Sequence, residues 1–334
     1  MKTHNIILFL LVAGCTTSPD PVDEAVDESA VTIAPPCPTS PGQWCTETAP
    51  VPSSLILHGV FAIAADNVFA VGDGGTILHR DSSAWTAQSS GTNLNLLAVW
   101  AASASDVWAG GEAPPAGTSP SQTLLHFDGT AWSLVTAAGA PITDINAVWG
   151  SSSTDVWFVG STVATHWDGA TFTKFGLTGT LLGVSGTGPR DVWVAGENFQ
   201  LRHFAGAGWS TFSPSPGPAS QALLTVLALG TTDVWVTDGT LSKETMHFGA
   251  DKTWTAHGTK ATINGTLTST GFNSMAARSS SDIWGVGQSR AGHWDGSNWA
   301  MAQPFGDATL LSVSIANGNG WIVGGSALIA HQVF

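Results

Sequence analysis

Residues 96–132 read LLAVWAASASDVWAGGEAPPAGTSPSQTLLHFDGTAW, and the order of residue types in this stretch decides the fold. An apolar run ends in Trp100. A small, polar turn leads to Asp106, the β-branched Val107, the aromatic Trp108 and Ala109-Gly110. After an insertion, Leu124-Leu125 leads to His126, an aromatic and the turn Asp128-Gly129, and Trp132 opens the next run. Short runs rich in Val, Leu, Trp and Phe, bounded by Gly, Asp and Ser, are expected to form strands.

The pattern occurs seven times. Its aromatic centres are Phe69, Trp108, Trp157, Trp193, Trp235, Trp284 and Trp321, each preceded two residues earlier by Asn67, Asp106, Asp155, Asp191, Asp233, Asp282 or Asn319. The matching histidines are His79, His126, His166, His203, His247, His293 and His331, and the outer aromatics are Trp85, Trp132, Phe172, Trp209, Trp254 and Trp299. The spacing between centres runs from 36 to 49 residues, with the excess in loops such as 111–117. In the third copy the strands are expected at about 145–149, 155–159, 163–167 and 172–175. Four short strands repeated at roughly forty residues are propeller blades.

The seventh copy stops at His331-Gln332-Val333-Phe334, without its outer strand, while Gln43-Trp44-Cys45-Thr46 matches Gly208-Trp209-Ser210-Thr211. The expected fold is therefore an all-β, seven-bladed propeller of four-stranded blades over residues 43–334, closed by the N-terminal strand near Trp44. Closure removes the unpaired edges that invite aggregation. A linear solenoid would leave Trp44 and the truncated repeat unexplained. No helix of three turns or more is expected.

A histidine in every blade suggests a metal, but ligands must converge within about 2 Å of one ion. Equivalent residues of seven blades are instead held apart on a ring, so no metal or other cofactor is expected. The histidines read as structural, with the repeated Asp or Asn as hydrogen-bond partner or as a cap of the preceding turn. The tryptophans are expected to fill the space between blades, their indole N–H groups bonded to loop carbonyls.

At the N-terminus, Lys2 and His4 precede the apolar run 6–12 and then Ala13-Gly14-Cys15. The run is too short to span a bilayer as a mature helix and fits a cleaved signal of residues 1–14. Val12-Ala13-Gly14-Cys15 resembles the bacterial lipobox, which implies lipidation of Cys15 and, with Thr16 following, outer-membrane placement. An unmodified secretory signal is the alternative. Residues 15–42 are rich in Pro, Ser, Thr and acid and read as a disordered tether. An exported compartment permits a disulfide between Cys37 and Cys45, with two free thiols as the alternative. The formal charge of −14 excludes the positive footprint that nucleic acid requires. It also disfavours direct contact with an anionic membrane, leaving the lipid as the attachment of a monomeric domain.

The repeat resembles those of bacterial secreted propellers grouped loosely with the BNR/Asp-box and photosystem II assembly-factor-like families. It looks especially like myxobacterial lipoproteins with DVWAVG and LHWDG..W repeats. The resemblance implies the fold over residues 43–334 and leaves activity open. His126 to Trp132 and His293 to Trp299 are similar to an Asp-box turn, which in sialidase-like families lies away from the active centre.

Sialidases use a tyrosine nucleophile, and this chain contains no tyrosine. Asp73, Glu197 and Asp238 follow second strands at similar offsets and are expected to form an acidic rim on one end of the ring. Insertions at 112–122, 213–221 and 260–270 accompany it. Rigid scaffolds commonly carry recognition on such loops. The expected function is a non-catalytic, envelope-anchored binding or scaffold module for an unidentified envelope protein. A carbohydrate-binding propeller is the runner-up, and a glycosidase or lyase of non-sialidase type stands third. A glycan site requires exposed aromatics, and Phe175, Phe199, Phe212, Phe272 and Phe305 are those the repeat leaves unassigned.

Overall fold

The structure is a computed structural model that describes residues 43–334 apart from 83, 118–123, 215–221, 239–243, 259, 264–265, 270 and 289. The expected signal peptide and tether, with Cys15 and Cys37, lie outside the described residues.

Seven four-stranded antiparallel sheets make up the ring. In the first blade the strands run Leu57–Ala64, Asn67–Gly72, Ile77–Asp81 and Ala84–Gln88 from the axis outward. Blades two to six repeat this order over 96–134, 147–176, 181–212, 223–258 and 274–304. The seventh consists of Leu310–Ala316, Asn319–Gly324, Ile329–Val333 and, as its outer strand, Cys45–Glu47. Innermost strands pack on one another around a closed circle, with Leu57–Ala64 against Leu310–Ala316.

The seam forms as the sequence predicts. Cys45, Thr46 and Glu47 pair antiparallel with His331, Ala330 and Ile329. This places Trp44 where the other blades carry their outer aromatic, edge-on to Trp284 at 5.5 Å and to Phe334 at 6.3 Å. Glu47 then bridges to the first blade. Its Oε2 accepts the indole N–H of Trp85 at 2.8 Å and lies 3.3 Å from Arg80 Nε. Its Oε1 stands 3.7 Å from His331 Nδ1. The equivalent residue of blade one is Gln88, whose Oε1 accepts the indole N–H of Trp132 in blade two at 2.7 Å.

The apolar interior is divided into wedges between blades. Phe69, Val71 and Ile77 of the first blade, for example, pack with Leu96, Val99 and Val107 of the second. Alternation along each strand directs one set of side chains to each neighbour. Serine hydroxyls on inner strands tie blades together: Ser312 and Ser314 accept the amides of Val60 and Ala62 across the seam, and Ser185 accepts that of Ala228.

Two details depart from the sequence reading. The inner strand of blade three is Ala147–Ser152, starting two residues later than expected, because the Ile145 amide donates to Gly111 O of blade two. The insertion 260–270, read as a loop, contains a hairpin of Lys260–Ile263 with Thr266–Ser269, whose β-branched residues suit strands. Among the described residues the single helical element is the 3₁₀ turn Asp73–Gly75.

Candidate functional site

Strand geometry explains the recurring triad of residues. Residues two apart on a strand share a face, so Asp106 and Trp108 project together, as do Asp155 and Trp157. The register places each histidine directly opposite its aromatic, as in Trp157↔His166 and Trp193↔His203. The imidazole therefore stacks on the ring at centroid distances from 4.0 Å (Trp321–His331) to 4.5 Å (Trp284–His293). Its Nε2 reaches the acid: 2.8 Å for His126–Asp106, 2.7 Å for His166–Asp155 and His203–Asp191, 2.8 Å for His247–Asp233 and 3.0 Å for His293–Asp282. Asn67 and Asn319 serve His79 and His331 in the same way.

The indoles differ from expectation. Trp193 and Trp235 donate to the side chains of Asp191 and Asp233 on their own strands at 3.0 and 3.1 Å, whereas the buried indole N–H groups of Trp108, Trp284 and Trp321 have no acceptor among the described residues. The shared face brings that carboxylate within reach of the indole. The second oxygen of most repeat aspartates is also occupied, by Ser151 for Asp155, Thr187 for Asp191, Ser280 for Asp233 and Arg278 for Asp282. Burial opposes the charge of Asp155, but hydrogen bonds from His166 and Ser151 outweigh it and hold the carboxyl below its ordinary range.

The Asp-Gly turns lie at the opposite end of the blades from the insertions. Asp128 Oδ1 accepts the amides of Thr130 and Ala131 at 2.8 and 3.0 Å, and Asp295 Oδ1 those of Ser297 and Asn298. These backbone bonds lower both carboxyls. Gly129 sits at φ 92°, a conformation few other residues adopt.

The end of the ring where inner strands begin carries the candidate site. Here the channel, a cavity of about 410 Å³, is lined by equivalent residues of successive blades, among them His58, Leu97, Leu182, Leu224 and Leu311. His58 is no member of the repeat. Its Nε2 lies 2.8 Å from Asp73 Oδ1, and Asp73 Oδ2 accepts the amide of Ile56 at 2.9 Å. Glu112, Asp144 and Glu197 are exposed at the same end. Asp144 accepts the amide of Ala113 at 2.7 Å, tying blade two to blade three.

Of the three rim acids, Asp73 and Glu197 occupy equivalent turn positions, one residue past Gly72 and Gly196. Asp238 falls one residue earlier, on the glycine position itself, paired with Leu223 and only 4% exposed. A one-residue offset sends a side chain to the other face. Asp238 is a buried strand residue and leaves the rim. Elsewhere this position demands glycine: a Cβ would lie 1.9 Å from Asn95 O at Gly111 and 1.7 Å from Asp144 O at Gly160. The equivalent acid that the rim reading omitted is Glu112, recognisable in the sequence by Gly111 before it.

All five unassigned phenylalanines are taken up by packing. Phe199 and Phe272 are buried, Phe175 and Phe212 lie against Trp157 and Trp193, and Phe305 packs on Trp44. Among the described residues, the exposed large apolar side chains are Ile56 and Ile142. No group of three or more His, Cys, Asp or Glu among the described residues converges as metal ligands do.

These features define a seven-bladed propeller. No family model matches the chain, and no curated protein matches it. Solved structures share its fold. YCF48 bound to D1 peptide superposes with a TM-score of 0.66 at 14% identity, over 88% of this chain and 97% of that one. A catalytically inactive virginiamycin B lyase from Staphylococcus aureus with quinupristin gives 0.70 at 11% identity, over 87% and 99%. The WD40 propeller domain of Doa1 gives 0.62 at 12% identity, over 86% and 94%.

Proposed function

We propose that the chain is a non-catalytic binding or scaffold propeller, held in the cell envelope by lipid on Cys15, that receives a protein segment at the channel mouth. The observation that carries this reading is the composition of that end of the ring: partly accessible leucines around the channel, the lone His58–Asp73 pair, and exposed Glu112, Asp144 and Glu197. Apolar contacts framed by acid suit a peptide with apolar and basic side chains. The YCF48 structure with its peptide supports protein binding by this fold. The envelope, the outer membrane, the tether of residues 15–42 and the Cys37–Cys45 bridge are parts of the proposal. They rest on the lipobox-like sequence and, for the bridge, on the pairing that an exported compartment permits.

Capture from native envelope extract tests the reading. The parent is expected to retain a partner that the triple variant Glu112→Gln, Asp144→Asn, Glu197→Gln loses, with unchanged thermal unfolding. Retention by both would sink it. A carbohydrate role predicts a hit on a glycan array, against which the packing of all five phenylalanines counts.

A further inference from the structure

The junction between blades two and three is built differently from its neighbours. Two residues past the partner of the repeat histidine, the outer strands of six blades, those whose side chain at this position is described, project a side chain toward the next blade. That side chain is Glu47 at the seam, Gln88, Phe175, Phe212 and His257 in blades one, three, four and five, and Val135 in blade two. The aromatic it should meet is tryptophan in every blade except the third, where it is Phe172. Both fillers are thus reduced at one junction, and a pocket of about 380 Å³ opens there.

Trp108, Trp167 and Phe172 line this pocket: Trp108 meets Phe172 at 82° and Trp167 at 50°, with centroids 6.4 and 6.0 Å apart, and Trp167 and Phe172 lie 4.6 Å apart at 39°. Asp106 and His126 line it as well. Asp106 spends Oδ1 on His126, but its Oδ2, unlike that of the four other repeat aspartates, has no side-chain partner among the described residues. Inclined aromatic faces with a carboxylate oxygen free to face a ligand suit an organic cation, which the ring quadrupoles and the charge both attract. The pocket lies within the size range of small-molecule sites.

We propose that this interblade pocket binds a small quaternary or methylated ammonium compound, with Trp108, Trp167 and Phe172 around the cationic head and Asp106 as its counter-charge. It is separate from the channel mouth and does not depend on the function assigned there.

The repeat itself supplies variants that the fold tolerates. Asn67 and Asn319 do the work of Asp106 in other blades, so Asp106→Asn removes the charge and keeps the histidine bond. Phe175 and Phe212 occupy the place of Val135, so Val135→Phe closes the pocket. Choline and its neutral isostere, with carbon in place of nitrogen, would be titrated into the intact protein by calorimetry. The parent is expected to prefer choline by about tenfold. Asp106→Asn should abolish the preference, and Val135→Phe should abolish binding of both, each with thermal unfolding at or above that of the parent. Phosphatidylcholine vesicles, added as a competitor, tell a lipid headgroup from a free solute. Absence of choline preference in the parent, or undiminished choline binding by either variant, would overturn the proposal.

Discussion

Glu47 offers the sharpest test of how the ring is held shut. Its carboxylate joins the borrowed strand to the first blade through the Trp85 indole and Arg80, and to blade seven through His331. The Arg80 and Glu47 side chains are only 11% and 16% exposed, so the pair is poorly screened by solvent. Glu47→Ala leaves a buried indole N–H unpaired and removes the partner of a largely buried cation. Arg80 keeps Ala65 O and Ser82 O, at 3.0 and 2.8 Å, which moderates the second loss. The sum is about 3 kcal/mol. Glu47→Gln recreates the arrangement of Gln88 and Trp132, preserves the indole bond and loses only the charge, at about 1 kcal/mol. Equilibrium unfolding in urea, monitored by tryptophan fluorescence, measures both. If the two variants were destabilised equally, the indole bond would have no part in closure. If both matched the parent, the seam would be held by something else.

Deleting residues 43–47 removes the whole outer strand of blade seven together with Trp44, and should lower the urea midpoint further than Glu47→Ala does. Trp157→Ala, which empties a fully buried site, should cost about 3 to 5 kcal/mol in the same assay, and a loss below about 1 kcal/mol would contradict its burial. Gly160→Ala drives a methyl into Asp144 O and should destabilise by about 1 to 3 kcal/mol or more, where the same change at exposed Gly176, whose Cβ meets nothing, should have little effect. Burial holds His79 and His331 below the ordinary histidine range, against the pull of Asp81 and Glu47. The unfolded chain therefore takes up protons first, and thermal stability should fall as pH drops below about 6.5. The lowered carboxyls Asp155, Asp128 and Asp295 retain their contribution until lower pH, where they too protonate. A melting temperature that rose on acidification from neutrality would contradict the sign.

The triad of acid, aromatic and histidine was legible in the sequence because each link is local. Two-residue spacing assigns Asp155 and Trp157 to one face, and the short turn from Gly160 to Val163 sets the register that brings His166 opposite. The channel-mouth acids were half legible. Asp73 and Glu197 followed from their place after a glycine, but Asp238 was misplaced by one residue, which on a strand is the difference between surface and interior. His58 escaped notice because it stands where several other blades carry leucine, and the repeat is read from the positions that keep their residue type.

The sequence by itself determined the blade, the number of blades and the way the circle closes, since all three are read from periodicity: the seventh copy lacks an outer strand and residues 43–46 match one. Tertiary structure alone decided what lies between blades. Val135 and Phe172 are 37 positions apart and unremarkable in a linear reading, yet together they leave a pocket. Glu47 and Arg80 meet only because the ring brings the two ends of the domain side by side. Side-chain volume at a junction is a property of two surfaces at once, and the chain order lists those surfaces separately.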